Sequence, residues 1–298
     1  MTIRLNSIFT FSILLLILAA CATTPQAETW LRETNSLVSV VEDAQESAKI
    51  HGTERVLVVF DIDNTLMAME QGLGSGQWYD WQSHLRLADP CNARRVSDLL
   101  AVQGALYYIS AMRPTQQDAA QLVRRLQDDG LKVIALTSRG PDFRLATFRE
   151  LRRNGYSFFA SAIGPGRGYP DVFVPAGGSR AARYEEGVFM TAGQHKGIML
   201  RALLKKTDTP WPAVLVIVDD KERKLRDVLE TFEDTGTAVH AWRYGREDGA
   251  VSSFDRDQAT ELWLQIRPAL GQILTLLGRD NFYFPPSLVP AECALPVE

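Results

Sequence analysis

Charge of one sign, internal repetition and cysteine are all scarce in this chain, and each shortage removes a class of explanation. The 298 residues carry 32 Lys and Arg against 36 Asp and Glu, a formal net charge of −4. That balance excludes nucleic-acid binding by bulk electrostatics, which needs a basic surface. No repeat or low-complexity tract interrupts the sequence. Cysteine occurs at positions 21, 91 and 293 only. What is present is ordinary for a globular protein: 46% hydrophobic residues and length enough for one large domain or two modest ones. The one long apolar run, Ile8 to Ala20, is too short to span a bilayer comfortably and has the length of a signal-peptide core.

Residues 1–20 therefore read as a cleaved leader with one early basic residue, Arg4. Leu18-Ala19-Ala20-Cys21 resembles a bacterial lipobox, in which the cysteine is lipidated and becomes the mature N-terminus. Ala22, where an Asp would signal retention at the inner membrane, implies the outer membrane. The expectation is an outer-membrane lipoprotein facing the periplasm, held by lipid on Cys21, with residues 21–28 as a short tether. The alternative is an ordinary secretory signal cleaved nearby, with Cys21 incidental and the product periplasmic or secreted. Export places the domain in an oxidising compartment. Cys91 and Cys293 then either form one disulfide or stay separate buried thiols, and geometry alone decides between them.

The chemistry-bearing pattern starts at Val56. The run VLVVF is short, β-branched and unbroken, and it stops abruptly at Asp61, with Asp63 two residues on. Such a run reads as a strand buried on both faces of a parallel sheet. Three more runs resemble it: Leu131–Leu136 ending in Thr137-Ser138-Arg139, Val214–Val218 ending in Asp219-Asp220, and Ala238–Trp242. Helical patterns separate them, at Gln116–Asp128, Phe143–Arg153, Lys196–Lys206 and Glu222–Glu233, and a further helix is expected over Thr29–Lys49. Alternation of this kind predicts an α/β fold with a doubly wound, mainly parallel sheet. In that architecture the carboxyl ends of neighbouring strands open on one crevice, so Asp61, Asp63, Thr137, Asp219 and Asp220 are expected to converge. Neighbouring carboxylates repel, and a cation or a proton must resolve the conflict.

Lys196 opens a helix, where a cation opposes the macrodipole. The position makes sense if the lysine faces an anion. His195 beside it is the rival candidate, or a capping residue.

Taken in order, DxDNT at Asp61–Thr65, a strand-ending Thr137, Lys196 before a helix and the strand-ending pair Asp219-Asp220 resemble the haloacid dehalogenase (HAD) superfamily over about residues 54–245. The segments GSGQWYDWQ at Gly74–Gln82, GVFMTAGQHKG and VIVDDKERKL look like an uncharacterised HAD-like family of exported bacterial proteins.

The resemblance implies a HAD-like Rossmannoid fold, residues 29–298, and a Mg²⁺-dependent phosphomonoester hydrolase acting on small phosphate esters or nucleotides. Asp61 would be the nucleophile, forming an aspartyl-phosphate. Asp63 would be the general acid and base. HAD ATPases and dehalogenases lack this second Asp. Thr137 would hydrogen-bond the phosphoryl group, and Lys196 would offset charge on nucleophile and phosphate. Asp61, the Asp63 backbone carbonyl, Asp219 and Asp220 would hold Mg²⁺, which prefers oxygen ligands. The alternatives are a non-catalytic surface or interaction protein on the same scaffold, and a phosphotransferase in which an alcohol replaces water.

About 67–112 exceeds an ordinary strand-to-helix link; the resemblance makes it a small cap over the site. Trp78, Tyr79 and Trp81 there either stack on a substrate ring or sugar, or pack the insert onto the domain. Arg139 is the preferred substrate contact. The Gly- and Pro-rich stretch Gly164–Gly187, with Arg167, Arg180 and Arg183, reads as a mobile loop or hairpin beside the site. A C-terminal amphipathic helix, about Gln258–Leu277, is expected to pack on the core, and Phe282–Pro286 to wrap along the surface.

Overall fold

A computed structural model of the chain describes residues 28–277, apart from 90, 91, 93, 97 and 98. The leader, Cys21, Cys91, Cys293 and the segment Phe282–Pro286 lie outside the described residues. In chain order the elements are β1 (Trp30–Thr34), α1 (Leu37–His51), β2 (Val56–Phe60), β3 (Met67–Met69), α2 (Gly76–Ala88), α3 (Leu99–Ile109), β4 (Met112–Pro114), α4 (Ala119–Asp128), β5 (Lys132–Thr137), α5 (Arg144–Arg153), β6 (Arg183–Glu185), β7 (Val188–Met190), α6 (Lys196–Lys206), β8 (Val214–Asp219), α7 (Glu222–Phe232), β9 (Ala238–Tyr244), α8 (Asp248–Ser252) and α9 (Arg256–Leu277).

Seven strands form one sheet in the order β1-β9-β8-β2-β5-β7-β6. Every pairing is parallel except β6 with β7. The unbroken apolar run of β2 has its cause here: successive side chains of a strand face opposite ways, and both faces are covered. Val56, Val58 and Phe60 pack with Leu37 and Val41 of α1, Leu122 and Val123 of α4 and Phe148 of α5. Leu57 and Val59 pack with Leu200 and Leu203 of α6 and Leu225 and Val228 of α7. Burying each such side chain contributes about 1.5–3 kcal/mol. This is an α/β fold with a mostly parallel central sheet and helices on both faces, the layout of a doubly wound, Rossmann-like domain. Among the described residues no helix is long and apolar enough to cross a membrane.

One segment differs from the sequence-based expectation, and another takes one of its two expected forms. Thr29–Lys49 is not one helix: Trp30–Thr34 is the edge strand β1, and α1 begins only after Ser36, whose side chain caps the Val38 N–H. Tertiary contacts override the helical spacing. Trp30 stacks on His240 at 4.5 Å and meets Trp242 edge-on at 5.0 Å, while Asp43 of α1 pairs with His240 Nδ1 at 2.8 Å and accepts from Trp242 Nε1 at 2.9 Å. The stretch Gly164–Gly187 resolves into a hairpin at its end. Glu186 and Gly187 both have positive φ, 46° and 76°, the signature of a tight two-residue turn, and they join β6 to β7.

The insert leaves the sheet through β3 and returns through β4, an antiparallel pair. Between them α2 and α3 build a separate apolar cluster. Leu73, Trp78, Val96, Val102 and Leu106 pack there with Ala259 and Trp263 of α9. The C-terminal helix therefore completes the insert rather than the main core, a correction to the expected packing.

Candidate active site

Asp61 directly follows β2, and its N–H donates to the Val218 carbonyl at 3.0 Å, extending the parallel ladder by one residue. Asp219 ends β8 and Thr137 ends β5, the two strands that flank β2. The chain order reverses across β2, with β5 on one side and β8 on the other, so the three carboxyl ends open on a switch point. After Ile62 the chain folds back tightly, and the Leu66 and Met67 N–H groups both donate to the Ile62 carbonyl. Asn64 takes a left-handed φ of 58°, a conformation Asn tolerates better than most residues. Its amide nitrogen donates to Asp220 Oδ2 at 3.4 Å.

Lys196 is 1% exposed, although it is the first residue of a helix. Its Nζ lies 2.5 Å from both Asp61 Oδ1 and Asp219 Oδ2, and it donates to the Leu136 carbonyl at 3.1 Å. The anion anticipated opposite this lysine is a pair of carboxylates. His195 caps the same helix, accepting from the Ile198 N–H, which is the capping reading.

Asp61, Asp219 and Asp220 each turn one oxygen toward a common point, all within 4.8 Å of one another. Like charges about 4 Å apart repel by roughly 4 kcal/mol at the dielectric of a partly buried site, and one lysine does not neutralise three carboxylates. Burial pushes Asp61 up; Lys196 opposes this, Asp219 and Asp63 add repulsion, and the carboxyl is pushed up to about 7. Burial first, then Asp219 and Asp61, hold Asp220 well above the usual carboxylate range. Burial alone would pull Lys196 down, but Asp219 and Asp61 outweigh it and hold it above its usual value. An all-oxygen donor set with excess negative charge fits a hard divalent cation. Asp219 already gives one oxygen to Lys196 and the other to the Lys221 N–H at 2.8 Å, whereas among the described residues the side-chain hydrogen bond to Asp220 is the long one from Asn64.

The family described as "Protein of unknown function (DUF2608)" matches residues 33–271, a span that holds every residue of this cluster. The chain belongs to this family. No curated protein matches it.

In this DUF2608 member Asp63 stands apart from the carboxylate cluster. Arg139 donates to it twice, from Nε to Oδ2 at 2.9 Å and from Nη2 to Oδ1 at 2.7 Å, and Tyr107 Oη donates to Oδ1 at 2.7 Å. Burial would raise the Asp63 pKa, but the Arg139 guanidinium and these bonds hold it below the usual carboxylate range. Arg139 itself is 6% exposed, and its remaining contacts go to Thr147 and Met112. It is therefore an internal clamp on Asp63 and not a free substrate contact, which corrects that expectation. Thr137 Oγ1 accepts the Arg139 N–H at 3.2 Å, so the second motif orients the clamp as well as edging the site.

For Trp78 the structure shows the packing reading. The residue is 1% exposed within the insert cluster, so neither ring face is open to a ligand. Trp81 packs against the same cluster and lies 6.0 Å from the Phe254 ring. Arg183 pairs with Glu185, while Arg167 and Arg180 are exposed. Among the described residues, side-chain bonds join the insert to the strand-end edge from Tyr107 to Asp63 and from Lys221 to Asp80, both at 2.7 Å. Tyr107, Thr147 and the hold of Asn64 on Asp220 were not visible in the sequence. Tyr107 sits in an apolar helix and nothing nearby marks it. Asn64 could have been found, because Asn after a strand-ending carboxylate often supplies a left-handed turn.

Proposed function

We propose that this protein is a Mg²⁺-dependent phosphomonoester hydrolase of the HAD type, exported and held by lipid on Cys21 at the outer membrane facing the periplasm, acting on small phosphate esters or nucleotides. The observation that carries this reading is the convergence of Asp61, Asp219 and Asp220 around a common point, with Lys196 buried between Asp61 and Asp219. An Asp carboxylate that must approach an anionic phosphate needs compensating positive charge. The site has one fixed cation and a donor set for another.

Asp61, Asp219 and Asp220 would hold Mg²⁺, which supplies charge neutralisation and orients the phosphate. An Asp61 oxygen attacks phosphorus, the bond from phosphorus to the ester oxygen breaks, and Asp63, ionised in the resting site and protonated by the incoming ester monoanion, passes that proton to the leaving oxygen. Asp63 then takes a proton from water as the water oxygen attacks phosphorus and frees Asp61. Lys196 favours the ionised, attacking form of Asp61 against the burial that opposes it and holds the carboxylate in place. Thr137 lies at the edge where the phosphoryl oxygens gather.

The test is phosphate release from p-nitrophenyl phosphate and a panel of alkyl and nucleotide esters, with Mg²⁺ and with EDTA. Turnover that chelation removes and Mg²⁺ restores is expected. No release from any ester would overturn the reading and favour an interaction protein on this scaffold. A second result is expected in thermal unfolding. Protons compete with the cation for Asp61 and Asp220, both of which titrate above the usual carboxylate range. Mg²⁺ should therefore raise Tm more at pH 8 than at pH 5. Without metal the sign reverses: a folded-state pKa raised from 3.8 to about 7 means that the Asp61 contribution to stability falls as pH rises through that window.

A further inference from the structure

We propose that Tyr107 and Arg139 are positioning residues for the acid–base carboxylate, and that through Tyr107 the insert governs which leaving groups the site can expel. The inference rests on the hydrolase reading above and goes beyond it.

Three donor bonds fix Asp63, and they come from two separate parts of the chain. Arg139 lies just past the end of β5 and offers a two-pronged fork, Nε and Nη2, that matches the two carboxylate oxygens. Tyr107 reaches the same carboxylate from α3 of the insert. The two residues also support each other, since the guanidinium lies 4.3 Å over the Tyr107 ring. Each is anchored behind: Arg139 Nη1 donates to Thr147 Oγ1 at 2.9 Å, and the Tyr107 ring meets Phe143 edge-on at 5.5 Å.

The Arg139 side chain is 4% exposed, while the Asp63 side chain keeps 29% of its surface open. The clamp is closed behind the carboxylate, and the carboxylate itself stays partly open. A proton must cross to the leaving oxygen within about 0.5 Å of its productive geometry, so the orientation of Asp63 is worth most where that proton is needed most. An alkoxide leaves poorly without a proton. p-Nitrophenolate leaves readily without one.

Tyr107→Phe removes one donor and keeps the ring, its stacking under Arg139 and its packing. The expected result is a loss in kcat/KM of about tenfold or more for alkyl phosphates, and of no more than a few-fold for p-nitrophenyl phosphate. The dependence of log kcat/KM on leaving-group pKa steepens accordingly. Arg139→Lys, which keeps the charge and abolishes the fork, should steepen it further and serves if the Phe variant folds poorly. Equal losses for alkyl and aryl esters in both folded variants, or no loss in either, would overturn the inference while leaving the hydrolase reading intact. A wild-type protein inactive on every ester would overturn both.

Discussion

Asp61→Asn should remove phosphate release altogether, by on the order of 10⁴-fold or more, the scale on which nucleophile deletions act, and it should at the same time make the metal-free protein harder to unfold. The loss follows from chemistry. A neutral amide does not displace an alkoxide from phosphorus at a useful rate, and about 10⁴-fold is equivalent to roughly 5.5 kcal/mol of barrier. The gain follows from electrostatics. Asp61 is 7% exposed, shares a confined space with Asp219 and Asp220, and its pKa is pushed up to about 7. At pH 8 it is therefore mostly ionised, but at a cost that the unfolded chain does not carry, and deleting the charge relieves that penalty. A functional residue that lowers stability is the familiar trade-off at active sites. Activity assays and urea unfolding of the same two preparations read both effects. Normal turnover by Asp61→Asn would remove Asp61 from the role of nucleophile.

Lys196→Ala should also lose activity, by about 10²–10³-fold for one charged stabiliser of the transition state, but its stability change has the opposite sign. The ammonium is buried between two carboxylates and a backbone carbonyl. Removing it strands Asp61 and Asp219 without a counter-charge, and breaking a buried pair in this way typically costs about 3–5 kcal/mol. Unfolding should shift to lower urea at pH 8, and Mg²⁺ should recover part of the loss by supplying the missing charge. Opposite stability shifts at the two ends of one ion pair separate an assembled charge site from a generic core contact, because a lost core contact lowers stability whichever partner is cut.

The parts of the fold that were readable from sequence share one property: local residues determine them. VLVVF before Asp61, VIALT at Thr137 and VLVIVD at Asp219 are runs in which every position is apolar until an abrupt polar stop. Only a strand covered on both faces needs that pattern. Lys196 was readable because its cost at a helix start asked for an anion. The features that escaped are set by distant partners. β1 carries helical spacing, yet Trp30 is claimed by His240 and Trp242, more than 200 residues on. β6 and β7 have three residues each, too few for any periodicity. Arg139 resembled a substrate ligand because it follows the second motif; its partner Asp63 lies 76 residues earlier, and no spacing rule connects them. Trp78 and Trp81 left stacking and packing both open, and the partner that decides for packing, α9, lies far along the chain.

The shared cluster of insert and α9 has a bearing on biosynthesis. The ribosome completes the strands of the sheet and the cluster of Asp61, Asp219 and Asp220 before it makes Trp263. Until the last helix emerges, Trp78 and Leu106 have no shelter and the roof above Asp63 is unfinished. A chain cut short just before Arg256 would keep Lys196 and the aspartate cluster yet display a greasy, half-built canopy, a form that quality-control proteases are suited to destroy. The apolar cluster of the insert is complete only once Ala259 and Trp263 have been made.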